Sequence, residues 1–118
     1  MISPSPRAAV CRVGDSLAVM CNTNESVVDW NIAFAGTNDR IDSIVTSTTQ
    51  VQDIRTSNSN VFIFSRTSER GALPLISTLD ISSVTSSLNG STISCMDSSS
   101  VAMEVTTTVY IISDSDGG

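Results

Sequence analysis

The chain has 118 residues, enough for one domain with a core of its own and too few for two. Its net charge is −6, and all six basic residues are arginine, a balance that disfavours nucleic acid or an anionic membrane surface as partner. With no histidine and no lysine, neither a Ser–His–Asp or Cys–His arrangement, nor a His-ligated zinc site, nor a Schiff-base amine can be assembled. Only carboxylate pairs remain for catalysis, and nothing in the sequence places two of them together, so the expectation is a non-enzymatic domain without cofactor or metal.

Taken in chain order, "MISPSPRAAV" lacks the basic and apolar regions of a secretory signal and reads as the start of an excised domain or of a re-initiated mature segment. "AAVCRVGD" places Cys11 in a first short strand. In "DSLAVMC", Leu17, Val19 and Cys21 fall on one face and Ala18 and Met20 on the other; in "VVDWNIAF", Val28, Trp30, Ile32 and Phe34 alternate with Val27, Asp29, Asn31 and Ala33. Further strands are expected over 41–47, 49–55, 61–65, 75–82, 91–96 and 105–112. Turn-forming clusters separate them at 35–39, 56–60, 68–74, 86–91 and 97–100, with at most one helical turn near 82–87. Ser and Thr supply roughly 30% of the chain, far above an ordinary composition, and suit half-exposed strands. The ending "SDSDGG", with Asp114 and Asp116, offers too few oxygens for calcium and reads as a linker over 113–118. Residues 1–112 therefore form an all-β sandwich or barrel of many short strands.

From Gly14 to Cys95 the sequence resembles the immunoglobulin superfamily. "GDSLAVMC" matches strand B, Trp30 the tryptophan of strand C, and "LDISSV…LNGSTISC" strands E and F. The resemblance implies a Greek-key β-sandwich in which a Cys21–Cys95 disulfide joins the two sheets and the indole of Trp30 packs in the core. Five strands between the cysteines suit the variable type, with 41–47 and 49–55 in the C′ and C″ slots. The sequence departs from the family at several points. Ile93 replaces the corner tyrosine, Asn89 replaces an aspartate that usually pairs with an arginine, and the last strand lacks a Gly-x-Gly bulge. The wording "LNGSTISC" and "FSRTSERGALPL" is similar to immunoglobulin repeats on invertebrate cell surfaces, and within that group to the ectodomains of sponge receptor tyrosine kinases.

That resemblance implies an extracellular recognition or adhesion domain belonging to a plasma-membrane protein. Its partner is then a second copy of itself, or another ectodomain, met through the C-C′-F-G sheet. Outward residues there are Asn31, Ala33, Ser94 and Met96, with Met103 and Glu104 at the start of the last strand, and they are expected to make a flat, weakly apolar patch with few charges. The alternative is a soluble secreted immune-type or carbohydrate-binding module. Cys11 is expected to be a buried free thiol, the alternative being a disulfide to another chain or domain. Asn24-Glu25-Ser26 and Asn89-Gly90-Ser91 are sequons for glycosylation, each in an expected turn.

Overall fold

Alternation of apolar and polar residues turns into strand because each strand can bury one side only. In a computed structural model, which describes residues 8–48, 52–67, 74–97 and 104–112, β1 (Ala8–Arg12) and β2 (Leu17–Thr23) bury every second residue. The same rhythm runs through β3 (Val27–Ala33), β4 (Arg40–Thr46) and β7 (Leu75–Ile81). The remaining strands are β5 (Gln52–Ser57), β6 (Asn60–Arg66), β8 (Thr92–Asp97) and β9 (Glu104–Ile112). One 3-10 turn among the described residues, Ser86–Leu88, overlaps the end of the helical turn expected near 82–87 and buries Leu88. Among the described residues no helix is long and apolar enough to cross a membrane.

The strands form two sheets, one ordered β1-β9-β8-β3-β4 and the other β2-β7-β6-β5. β1 runs parallel to β9, and every other pairing is antiparallel. A disulfide joins Cys21 of β2 to Cys95 of β8, across the sheets, with a Cα–Cα distance of 6.5 Å. The architecture is an immunoglobulin-like β-sandwich.

One strand takes a place of its own. In a variable-type sandwich the C″ strand extends the sheet of C, F and G, but β5 pairs with β6, from Gln52↔Ser65 to Ser57↔Asn60, and so joins the other sheet. The cause is local. Asn58 and Ser59 both hold left-handed φ, 51° and 66°, as a two-residue hairpin turn requires, and this turn fixes β5 against β6. The expected turn over 56–60 thus contracts to two residues, and the five-stranded sheet ends at β4.

The core is built around Trp30, fully buried on β3. In register, Trp30 lies beside Cys95 in its own sheet, while Ser77 lies beside Cys21 in the opposite one. The indole N–H donates to Ser77 Oγ at 2.8 Å, and that hydroxyl donates on to the Ser65 carbonyl at 3.0 Å. Phe64 packs against Trp30 with ring centroids 6.0 Å apart, and Phe34 meets Phe62 edge to face at 5.9 Å. Val84, Leu79 and Ile81 are buried, in keeping with the strand pattern. The serines and threonines do more than line wet surfaces: Ser43, Ser77, Ser91, Ser94, Thr23 and Thr107 are buried. Small hydroxyls fill the space left between large side chains.

Ile93, in place of the corner tyrosine, is buried and leaves the turn after β7 to be fastened by other means. Asn60, wholly buried, donates to the Asn58 carbonyl at 2.9 Å and Thr85 Oγ1 at 3.0 Å, and accepts from the Thr85 N–H at 3.0 Å. Asn89 Oδ1 accepts from the Ile111 N–H at 2.8 Å, tying the same turn to β9.

Candidate interaction face

The outer face of the five-stranded sheet is a set of rows fixed by register. Arg40, Ala33, Thr92 and Thr108 stand side by side across β4, β3, β8 and β9. The next row is Asp42, Asn31, Ser94 and Thr106. A third begins Ile44, Asp29, Met96. Between the first two rows lie Ile41, Ile32, Ile93 and Thr107, all turned inward and buried. Short side chains between Arg40 and Thr106 leave a shallow depression of about 250 Å³, lined by Asn31, Ala33, Arg40, Thr92, Ser94 and Thr106.

Four of the residues expected on this face are there together. Asn31, Ala33 and Ser94 line the depression, and Met96 stands half-buried at its upper end, in register with Asp29. Ser94 is only 8% exposed, since its hydroxyl is paired with Thr106 Oγ1 at 3.1 Å, so it forms the floor of the depression rather than a protruding contact. Met103 lies outside the described residues, as do Asp114 and Asp116.

The expectation of few charges fails. Asp29, Arg40 and Asp42 all face outward here, because alternation from Trp30 and Ile41 sends them out with Asn31. The structure also brings two carboxylates together. The pKa of Asp29 is pushed up to about 6, first by burial, then by a hydrogen bond to Asp42 and the like charge of that group. Asp29 Oδ1 is buried without a hydrogen-bonding partner, while Asp42 Oδ1 accepts weakly from Asn31 Nδ2 at 3.4 Å. Arg40, one row away from Asp42, makes no ion pair or hydrogen bond with the described residues. Arg55, by contrast, pairs with Asp53 at 3.2 Å, and that guanidinium adds to the Ser43 hydroxyl in holding the Asp53 carboxyl below its ordinary range. Arg40 is exposed, so a carboxylate brought to it by a partner would add only modestly to affinity while fixing orientation.

A second feature is hidden in the sequence. Val10, Tyr110 and Ile112 are exposed together at the β1–β9 edge of the same sheet, Val10 and Tyr110 directly in register. Only the parallel pairing of β1 with β9, the first strand with the last, puts them together.

The other expected site residues are placed as follows. Cys11 is a free thiol, buried on β1, its pKa raised by burial and by the charge of Asp15. Asn24 is exposed in the three-residue bend between β2 and β3, and Asn89 is exposed just after the 3-10 turn. Neither lines the depression. Among the described residues no three His, Cys, Asp or Glu side chains converge on a point where a metal could sit. No protein-family model matches the chain, and no curated protein matches it either.

Proposed function

We propose that this domain is an extracellular recognition or adhesion module of a cell-surface receptor, and that it self-associates through the outer face of β3, β4, β8 and β9. The observation that carries the reading is a charged group on one open sheet face: Arg40 stands exposed with no carboxylate partner among the described residues. A surface that holds such groups gains when a complementary surface supplies the missing partners. The Cys21–Cys95 disulfide favours an oxidising compartment and so a place outside the cell. The resemblance to ectodomains of sponge receptor tyrosine kinases supplies the receptor setting. Asn24 and Asn89 stand exposed in turns, where glycans can be carried.

Sedimentation velocity across a concentration series tests this reading. Dimers that grow with concentration, and are lost in Ala33→Arg and Met96→Arg, are the expected result; a strict monomer at about millimolar concentration contradicts it.

The depression supports a second reading, a secreted immune-type or carbohydrate-binding module, since its hydroxyls, amide and guanidinium are groups that bind sugars. Binding of the monomer to a glycan array, abolished by Arg40→Ala, would favour it.

A further inference from the structure

The two central rows of the face are complementary to each other. One reads Arg40, Ala33, Thr92, Thr108 and the other Asp42, Asn31, Ser94, Thr106, in the same strand order. Turning the face over about an axis that crosses the strands between these rows lays each row on the other. Such an axis runs above Ile41, Ile32, Ile93 and Thr107, whose side chains point into the core, so no outward side chain stands on it to clash with its own copy. Two-fold symmetry demands this kind of self-matching, in which residue i meets j and j meets i.

We infer that two copies of this chain pack face to face about that axis, with Arg40 of each over the partner's Asp42 and Ala33 over the partner's Asn31. The inference rests on the self-association proposed above and specifies its register. Three facts then share one explanation. Arg40, which has no ion pair or hydrogen bond with the described residues, gains a carboxylate. The Asp29–Asp42 pair, two like charges side by side, gains a cation. The depression beside Ala33 receives the partner's Asn31 side chain. A free small anion fits the same guanidinium less well, because Asp39 and Asp42 flank it in the chain and repel a ligand that brings no positive charge of its own. A second copy brings both signs.

The patch is small. Four strands at about 4.8 Å spacing present on the order of 500 Å² per partner, less than the roughly 800 Å² of a standard interface, so the dimer is weak and transient.

Charge reversal in the full chain provides the test. Arg40→Asp sets two acidic residues against each other at both symmetric contacts, and Asp42→Arg sets two basic ones. Each variant alone should associate at least about tenfold more weakly than the parent. An equimolar mixture should form heterodimers, because the carboxylate introduced in one variant then meets the guanidinium introduced in the other. The second contact of that heterodimer keeps the native arginine of one chain and the native aspartate of the other on opposite sides only if both variants fold as the parent does, so circular dichroism of each is recorded alongside. Raising the salt from about 0.1 M to 0.5 M should weaken the parent dimer and the mixed dimer alike. The neutral variants Arg40→Gln and Asp42→Asn, each showing a smaller loss, serve where a reversal disturbs folding. A parent dimer that ignores both reversals, or a mixture that associates no better than either variant alone, overturns the register while leaving self-association standing. A parent chain that stays monomeric at about millimolar concentration overturns both.

Discussion

At the scale of single residues, polar groups set inside or against apolar packing decide much of the behaviour. Asp29 is the clearest case. Its carboxyl titrates near 6 in the fold instead of near 3.8, because burial and then Asp42 disfavour the charged form. A carboxyl raised in this way is held more tightly as the acid by the folded chain than by the unfolded one. Stability should therefore increase as pH falls from about 6 towards 4, where Asp53, held low, is still ionised and does not oppose it. The urea midpoint measured between pH 4 and 7 should show this slope, and Asp29→Asn should flatten it; a midpoint that falls with falling pH over that window would refute the assignment. Asn60 has a purely structural role. Its side chain fastens the β5–β6 hairpin to the turn after β7, so Asn60→Ala should cost about 2 kcal/mol, judged from several hydrogen bonds worth about 1 kcal/mol each. A urea titration showing less than about 0.5 kcal/mol would mean that this network carries little. The sequence shows Asn60 only as one of many turn-formers. Its distant partners Thr85 and Ser87 lie 25 and 27 residues away and become neighbours only after the sheet closes.

Among the elements, the β5–β6 hairpin fixes where the face stops. Ser59 holds a φ of 66°, a region where a side chain costs about 1 kcal/mol or more. Ser59→Gly should raise stability by about 0.5–1 kcal/mol, since glycine suits the second position of such a turn. Equilibrium unfolding of that variant reads the gain directly, and a loss would place the turn in another geometry. Strand identity was legible because alternation is local: every second residue of "LAVMCNT" and "VVDWNIA" is buried. The sheet to which β5 belongs was not. A short strand with only Ile54 as a large apolar residue is almost wholly exposed, so its residue pattern selects no neighbour, and the two-residue turn does. The charges on the face were legible in principle, since Asp29, Arg40 and Asp42 obey the same alternation as Asn31 and Ala33. That Asp29 and Asp42 meet depends on the β3–β4 register, which places Asn31 opposite Asp42 and Asp29 opposite Ile44. The edge cluster of Val10, Tyr110 and Ile112 depends in the same way on the pairing of the first strand with the last.

For the whole molecule, one covalent link and one buried indole hold two sheets together in a chain poor in aromatics. The Cys21–Cys95 loop spans 74 residues, and in the chain-entropy account closing it contributes about 4 kcal/mol. The Cys21→Ala/Cys95→Ala pair should lower stability by about that amount in urea unfolding, while Cys11→Ser, which removes a thiol outside the link, should not touch the crosslink. The self-association proposed above runs through the outer face of β3, β4, β8 and β9. Dilution from about 1 mM to 20 µM, followed residue by residue through backbone amide chemical shifts, tests it most directly. Shifts concentrated at Ala33, Arg40, Asp42, Asn31 and Ser94 are the predicted result. Shifts confined to Ile54, Val61 and Ile63 on the opposite sheet, or none at any position, would contradict it.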